Sequence, residues 1–208
     1  MFYLIRTPWW LKKCYSNLIW RMPTREKVLY LSFDDGPHPV ATPFVLDALN
    51  KYGAKACFFC IGKNVVEHPQ LFRRILSEGH RVGNHTQDHL NGWKVPDKDY
   101  LDNVRQAARY IDSDFFRPPY GRISPFQSKL LRAAPSSYKI IMWDVLSADF
   151  DRSLSAERCA KNVIRYARPG SIIVFHDSEK AFDRLQGALP EVLEHFTKAG
   201  YRFEAIRL

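Results

Sequence analysis

The sequence predicts a single α/β domain built on a parallel sheet, and three observations support that fold class. The chain has 208 residues, which is enough to bury one full hydrophobic core. From Lys27 onward, short apolar runs alternate with amphipathic segments, the pattern of parallel β/α folds. No repeat, low-complexity tract or linker divides the chain. The alternation alone leaves open whether the sheet is doubly wound or closed into a barrel.

About seven strands and six helices follow one another along the chain. The predicted strands are KVLYLSF (27–33), AKACFFCI (54–61), HRVGNH (80–85), FFRPPYG (115–121), YKIIMWDV (138–145), SIIVFHD (171–177) and YRFEAIRL (201–208). The predicted helices are 42–53, roughly 67–78, 97–112, 127–134, 155–167 and 187–200. No glycine-rich nucleotide-binding motif follows the first strand, so nucleotide-binding versions of the fold lose support.

Charge and cysteine content narrow the class of protein further. Lys and Arg exceed Asp and Glu by 31 to 22, but they are spread along the chain. This distribution predicts a basic surface rather than a nucleic-acid-binding face, while attraction to anionic glycans or lipid remains open. Cys57 and Cys60 form a C-x-x-C inside a predicted strand, where positions three apart face opposite sides. We therefore expect buried thiols that pack, and no redox or zinc pair.

The N-terminal segment, residues 1–26, is aromatic and basic and precedes the predicted α/β domain, residues 27–208. Its apolar run is interrupted by charged residues and a proline, and no signal-peptide pattern is recognisable, so we expect a cytoplasmic protein. We expect the segment to pack on the domain. The alternative is peripheral membrane contact through Trp9, Trp10 and Trp20. No stretch approaches the ~20 apolar residues of a transmembrane segment.

Polar side chains recur where the predicted strands end. In parallel β/α folds these carboxyl ends share one face, which carries the active site. The residues at these ends are Asp34 and Asp35, His85 and His89, Arg117, Asp144 and Asp149, and His176 and Asp177. We therefore expect residues scattered along the sequence to converge on one cleft.

Two histidines and a carboxylate in that cleft predict a metal site. His85 and His89 are four residues apart, a spacing that on a helical turn places both imidazoles on one side. With one aspartate they make three protein ligands with positions open for water and substrate. Such a set suits catalytic Zn²⁺, with Co²⁺, Ni²⁺ or Fe²⁺ as alternatives.

The adjacent aspartates can then divide their tasks. One carboxylate can ligate the cation, whose charge offsets the repulsion between the neighbouring anions. The other can stay free to take a proton from water, and His176 can protonate a leaving group. A base, a metal and an acid around one water are the equipment for hydrolysing an amide or an ester.

At this point the sequence resembles the polysaccharide deacetylases, the NodB-homology domain of carbohydrate esterase family 4. SFDDGP resembles T-F-D-D-G-P, HTQDH resembles H-[ST]-x-x-H, and RPPYG matches R-P-P-[YF]-G. MWDVLSADFD resembles the W-x-V-D-x-x-D-W motif, and IVFHDS resembles the L-x-H motif with Val174 for Leu. The resemblance runs from about Lys27 to the C-terminus and implies a distorted (β/α)7 TIM-like barrel.

The resemblance also implies a role for each matched residue. Asp34 would be the general base, oriented by Arg117, and Asp35, His85 and His89 would be the metal ligands. The Tyr120 backbone N–H would donate to the oxyanion, and His176, supported by Asp149, would be the general acid. Trp143, with Pro119 and Tyr120, would form the sugar-binding wall. Two positions depart from the fourth motif, because Leu146 replaces its first aspartate and Phe150 its tryptophan. Asp144 and Asp151 are extra carboxylates that we expect to be exposed.

The resulting functional hypothesis is a metal-dependent N-deacetylase acting on glycans or glycoconjugates that contain N-acetylglucosamine. An O-acetyl esterase or a small-metabolite amidohydrolase with the same metal site is the alternative, and it gains weight from the absence of an export signal. A glycan-binding module without catalysis is a third hypothesis. It is disfavoured because every residue assigned to base, acid and metal is present.

Overall fold

A parallel sheet forms the centre of the protein in the computed structural model, which describes residues 3–208. Its strands are β1 (Val28–Asp34), β2 (Ala56–Cys60), β3 (Arg81–Asn84), β4 (Phe115–Phe116), β5 (Lys139–Ile140), β6 (Val145–Leu146), β7 (Ile172–His176) and β8 (Arg202–Phe203). Seven of them run in the order β5-β4-β3-β2-β1-β7-β6, and β8 pairs with the start of β1. All named pairings are parallel, as the strand–helix alternation predicts.

Eight helices are found in the described residues and connect or cover the strands. They are α1 (Trp9–Cys14), α2 (Ala41–Lys51), α3 (Gly62–Glu67), α4 (Pro69–Ser77), α5 (Asp97–Ala107), α6 (Pro125–Arg132), α7 (Ala156–Tyr166) and α8 (Glu179–Lys198). Helix α8 begins eight residues before the predicted start at Gly187. A Cβ atom on that glycine would lie 2.8 Å from the Ala156 Cβ. Gly187 therefore permits close packing of α8 on α7 and does not mark a helix start.

The predicted strand 138–145 is wrong as a single element. The structure divides it into β5 and β6, which lie at opposite ends of the strand order. Residues 141–144 cross the gap that separates the two edges of the sheet, while the Ile141 N–H still donates to Phe116 of β4 and the Asp144 N–H to Ile172 of β7. The continuous apolar run concealed this break, because the crossing residues Ile141 and Met142 are as buried as the strands themselves.

Alternation along β1 separates the core between sheet and helices from the interior of the curled sheet. Leu31 and Phe33 belong to the large cluster that also contains the inner faces of the helices. Tyr30 packs on the other side, and Asp34 shares its face by the two-residue period of a strand. Cys60 and Cys57 divide between the same two clusters, and both are free thiols, as predicted. Asp34 consequently faces the interior at the carboxyl end of the sheet.

The N-terminal segment lies across the gap between β5 and β6. Ile19 forms a parallel bridge with Ile141, and Arg6 forms an antiparallel bridge with Val145. Leu18 and Trp20 are buried in the cluster beside β5. The segment thus takes the place of further sheet pairing where the two edges do not meet.

Within residues 3–208 no helix combines the length and the hydropathy needed to cross a membrane. Trp20 is buried, whereas Trp9 and Trp10 on α1 are exposed. Packing of Trp20 in the protein core removes it from any lipid surface. The alternative of peripheral membrane contact through all three tryptophans therefore finds no support.

Candidate active site

The two adjacent aspartates follow β1 in a tight loop at the carboxyl edge of the sheet. Asp34 is the last residue of β1 and lies in register with His176 of β7. Asp35 has a φ of 79°, in the left-handed region that few non-glycine residues adopt. This turn separates the directions of the two carboxylates, although they are neighbours in sequence.

Asp177 holds this loop, a role that the sequence did not reveal. Its Oδ1 accepts a hydrogen bond from the Gly36 N–H at 3.1 Å, and its Oδ2 accepts one from the Thr42 hydroxyl at 2.5 Å. Burial raises the pKa of Asp177 to about 8, with the negative charge of Asp35 acting in the same direction. A Cβ atom on Gly36 would lie 2.1 Å from the Asp177 Oδ2, so only glycine fits there.

Asp34 is paired with a fully buried arginine. The Arg117 Nη1 donates to the Asp34 Oδ1 at 2.7 Å and to the Ser32 hydroxyl at 2.8 Å. The same guanidinium donates to the carbonyl oxygens of Ile141 and Met142 at 3.0 and 3.1 Å. Burial lowers the pKa of Arg117, but the Asp34 charge opposes that shift. Such a satisfied pair holds the carboxylate in one orientation.

Asp35, His85 and His89 converge on one point, as the sequence predicted. One ligand atom from each lies within 4.8 Å of the others. The Asp35 Oδ1 is 3.7 Å from the His85 Nε2 and 3.2 Å from the His89 Nε2. This oxygen is buried and has no hydrogen-bond partner within residues 3–208. A buried, unsatisfied carboxylate oxygen facing two imidazole nitrogens fits a divalent cation.

Hydrogen bonds orient both imidazoles for ligation through Nε2. The His85 Nδ1 lies 2.8 Å from the Arg117 carbonyl oxygen, which can only accept, so Nδ1 carries the proton. Burial lowers the pKa of His85 to about 4, which keeps the ring neutral. The His89 Nδ1 contacts the Tyr120 hydroxyl at 3.1 Å. Both rings therefore direct Nε2 toward Asp35, the arrangement usual for metal-binding histidines.

The segment between the two histidines is a loop and not the helical turn that their spacing suggested. Thr86 and His89 have φ values of 66° and 58°, which no α-helix contains. The buried Asn103 on α5 holds the loop, because its Oδ1 accepts from the backbone N–H groups of Gln87 and Asp88 at 2.9 and 3.0 Å. Loop geometry fixed from outside therefore brings the imidazoles together, and Asn103 had no motif to identify it.

His176 and Asp149 form a second ionisable pair across the site. Asp149 accepts from the His176 Nδ1 at 2.7 Å and from its backbone N–H at 2.8 Å. Ser147 donates to the same carboxylate at 3.0 Å. Burial alone would lower the pKa of His176, but the Asp149 carboxylate raises it to about 9. The imidazole is therefore protonated at neutral pH, and its Nε2 remains available to donate.

Tyr120 and Trp143 form part of the cavity wall, whereas Pro119 does not. Tyr120 is half exposed and has a φ of 59°. Trp143 lies so close to Gly121 that a Cβ atom there would be 2.7 Å from the indole. Pro119 is buried in the short 3₁₀ turn and lies outside the cavity lining.

The two departures from the fourth motif also face the cavity. Leu146 and Phe150 both line it, and the Phe150 ring packs edge-on against the His176 imidazole with 5.3 Å between centroids. Tyr3 packs edge-on against the other side of Phe150 at 5.2 Å, and its hydroxyl donates to Asp151. Phe150 thus links the N-terminal segment to the predicted acid.

Asp144 is buried, contrary to the sequence-based expectation, and it binds the N-terminal segment. Its side chain is almost fully buried, forms an ion pair with Lys12 and accepts from the Ser171 hydroxyl at 2.6 Å. Its backbone carbonyl accepts from the Thr7 N–H at 2.9 Å. Asp144 is therefore an anchor for residues 7–12.

These groups surround one cavity of about 540 Å³. Asp34, Asp35 and His176 line it together, so the carboxylates face the protonated imidazole across a space open to a ligand. A carboxylate, a cation site and an imidazolium around one space can activate water and protonate a leaving group.

Known proteins are similar to this chain in sequence. Residues 21–137 match the family model described as Polysaccharide deacetylase. A peptidoglycan-N-acetylglucosamine deacetylase of Bacillus cereus is 34% identical and aligns over 90% of this chain and 90% of its own length. A chitooligosaccharide deacetylase of Bradyrhizobium sp. is 36% identical over 72% of this chain and 70% of its own.

A solved structure shares the fold over almost the whole chain. It is the crystal structure of a peptidoglycan N-acetylglucosamine deacetylase in complex with 4-naphthalen-1-yl-N-oxidanyl-benzamide. The TM-score is 0.85 at 31% identity, and the match covers 96% of this chain and 95% of that one. This agreement confirms the predicted distorted (β/α)7 barrel.

Proposed function

The chain belongs to the polysaccharide deacetylase family, and we propose that it removes N-acetyl groups from N-acetylglucosamine units of a glycan by metal-dependent hydrolysis. It is a carbohydrate N-deacetylase, like the named relatives that match most of its length. Two of those relatives are named for peptidoglycan and for chitooligosaccharide. Both substrates contain N-acetylglucosamine, which is the basis for assigning that sugar here.

One observation carries the catalytic proposal. The Asp35–His85–His89 triad lies in the same cavity as the Asp34 carboxylate and the His176 imidazolium. The imidazolium is held by Asp149. A buried carboxylate oxygen without a hydrogen bond in the triad is costly unless a cation satisfies it. The arrangement thus combines a base, an acid and a cation site.

Each of the active-site residues has a separate task in the proposed hydrolysis. Asp34, held by Arg117, takes a proton from the attacking water, whose oxygen forms a bond to the acetamide carbonyl carbon. The Tyr120 backbone N–H donates to the developing oxyanion. His176 donates its Nε2 proton to the leaving amine as the C–N bond breaks, and acetate is released.

The cation bound by Asp35, His85 and His89 would supply Lewis acidity, which stabilises negative charge on oxygen and lowers the pKa of water. We propose Zn²⁺ as that cation, because two imidazole nitrogens and one carboxylate oxygen form a common catalytic zinc ligand set. Co²⁺, Ni²⁺ and Fe²⁺ accept the same donors. Calorimetric titration of metal-free protein with each ion would rank them, with His89→Ala as the variant that should lose binding.

Acetate release by metal-reconstituted protein tests the reaction. We expect release from chito-oligosaccharides, with much less from acetyl-xylan or from small N-acyl amides. Preference for acetyl-xylan would instead identify an O-acetyl esterase, and preference for small amides a metabolite amidohydrolase. Glycan binding without acetate release under any divalent metal would identify a binding module.

The variant Asp34→Asn tests the assignment of the base. The amide cannot accept the proton, so turnover should fall by at least about 10³-fold, in line with loss of a general base. Zn²⁺ affinity measured by calorimetry should stay near that of the wild type, because Asp34 is not a ligand. Near-normal turnover in this variant would contradict the assignment of Asp34 as the general base.

A further inference from the structure

Trp93 is exposed and yet held in one orientation, a combination that the catalytic proposal does not use. The residue is 59% exposed to solvent. Its indole Nε1–H donates to the Ile123 carbonyl oxygen at 3.1 Å, and its backbone N–H donates to the Asn91 Oδ1 at 3.0 Å. An exposed indole costs hydrophobic free energy, and the hydrogen bond from its Nε1–H to Ile123 holds it in this orientation.

A cation extends this surface to the rim of the cavity. The Arg122 guanidinium lies over one face of the Trp93 ring, 4.2 Å from its centre, so a ligand that packs on the indole must use the opposite face. Arg122 also lines the cavity that contains Asp34 and His176. Its neighbour Tyr120 lines the same cavity and is 51% exposed. Tyr120, Arg122 and Trp93 therefore form a continuous surface, the Trp93 platform, that leads from the catalytic groups to the outside.

The chemistry of the platform fits a sugar ring. One side of a pyranose presents C–H groups with a partial positive charge, which pack on the electron-rich face of an indole. The hydroxyl groups around the ring accept from donors such as the Arg122 guanidinium. A small N-acyl metabolite that fills the catalytic cavity has no second ring to place there.

We propose that the Trp93 platform is a binding subsite for a further sugar residue of the glycan whose N-acetyl group lies at the catalytic centre. The inference rests on the proposed deacetylase function and deepens it, because it names the residues that recognise the glycan beyond the reacting sugar. The second ring binds on the Arg122 and Trp93 side of the cavity, away from the His176 and Phe150 side.

A chain-length comparison tests the platform. The ratio of kcat/KM for chitohexaose to that for chitobiose is measured in the wild type and in Trp93→Ala. We expect this ratio to fall about 10-fold, mainly through KM for the hexamer, because loss of the aromatic contact corresponds to about 1.4 kcal/mol of binding free energy. Trp93→Phe keeps an aromatic face and should restore most of the ratio.

Trp10→Ala is the matched control, because Trp10 is 53% exposed on α1 and does not line the cavity. This variant should keep the wild-type ratio. An unchanged ratio in Trp93→Ala, or an equal fall in Trp10→Ala, would overturn the proposal. Thermal unfolding of each variant excludes a general loss of structure.

Binding measured without turnover separates this inference from the deacetylase function. Binding of chitohexaose to the metal-free wild type and to metal-free Trp93→Ala is measured by calorimetry, since the metal-free protein should not turn the hexamer over. If neither protein releases acetate once metal is restored, the proposed function fails. A weaker hexamer affinity in Trp93→Ala would still support the subsite, and equal affinities would contradict it.

Discussion

At the scale of single residues, Asp149 controls the charge of His176 at this site. Its carboxylate accepts two hydrogen bonds from the histidine, one from the ring and one from the backbone. Against burial, which lowers the pKa of a histidine, it raises the pKa of His176 to about 9. A general acid is active only while protonated, so this interaction keeps the acid competent from neutral pH up to the folded-state pKa.

Asp149→Asn should therefore shift the pH profile. Without the negative charge, the pKa of His176 falls toward or below its ordinary value of about 6.5. The basic limb of kcat, where activity is lost as pH rises, should move to lower pH by at least about one unit. The measurement is kcat between pH 5 and 10. Glu157→Gln, on the exposed face of α7, is the control and should leave the limb in place; an unshifted limb in Asp149→Asn would contradict the assignment of the acid.

Which residues meet in the cavity could be anticipated from the sequence, but not what holds them. Asp34, His85 and His176 sit at strand ends, and parallel strands bring their ends to one edge. Asp177 acts on loop backbone through one hydrogen bond and Asn103 through two. No spacing rule links a helix asparagine to a loop 15 residues earlier, so only the folded structure identifies it.

At the scale of elements, the loop after β1 depends on a glycine for steric reasons. A Cβ atom at Gly36 would overlap the Asp177 carboxylate, which holds the loop by a hydrogen bond. Displacement of that carboxylate or of the loop would move Asp35 away from the two histidines.

Gly36→Ala should lower Zn²⁺ affinity by about 10- to 100-fold, the usual cost of disturbing a group that supports a metal ligand. Calorimetric titration of the metal-free variant measures the change. Gly53→Ala is the matched control, because Gly53 has a φ of 59° and a Cβ atom there would meet nothing within 4 Å. It should lose a little stability and no metal affinity. Equal affinities in the two variants would contradict the role of the loop.

The N-terminal segment behaves as an element of the barrel, because its contacts are with β5, β6 and the residues between them. Asp144→Asn removes the charge that pairs with Lys12 and weakens the bond from Ser171. We expect unfolding free energy to fall by about 1–3 kcal/mol, the range for a lost buried bond to a charged group. Urea unfolding gives that value, and hydrogen exchange should show faster exchange at residues 5–19.

Asp102→Asn serves as the control for this experiment. Asp102 pairs with Lys98 and Arg105 on the exposed face of α5, where ion pairs contribute little. Its urea midpoint should stay near that of the wild type. Unchanged hydrogen exchange at residues 5–19 in Asp144→Asn would contradict the role of Asp144 as an anchor of the N-terminal segment.

Element boundaries could be predicted from the sequence where a glycine marks the end of a helix, but not where tertiary packing determines where a strand ends. Helix α2 ends close to Gly53, as predicted. The run 138–145 divides into β5 and β6 because burial there comes from the N-terminal segment as well as from the sheet. Apolar periodicity cannot distinguish these two sources of burial.

At the scale of the whole molecule, a metal ion would join parts of the chain that are far apart in sequence. Asp35 follows β1, whereas His85 and His89 lie beyond β3. A ligand that binds only the folded state stabilises it in proportion to its affinity. The unfolded chain does not hold the three donors together, so the effect should be measurable.

Saturating Zn²⁺ should therefore raise the midpoint of thermal unfolding by about 5–10 °C over the chelated protein, if the ion is at about 100 times its Kd. His89→Ala should abolish most of the rise. His195→Ala, on α8 away from the triad, should keep it. A similar rise in His89→Ala would mean that the stabilising ion binds elsewhere.

The position of β1 in the sheet has a consequence for synthesis on the ribosome. β1 leaves the ribosome well before its partners β7 and β8, and the N-terminal segment leaves it well before its own partners, residues 141 and 145. Although β2 can pair with one edge of β1 soon after it is made, the edge that binds β7 stays unpaired until residues 172–176 are made, and Ile19 stays unpaired until Ile141 is made. Exposed strands of this kind are prone to aggregation. We expect the protein to depend on chaperones that hold nascent chains, and any truncation before residue 176 to yield insoluble product.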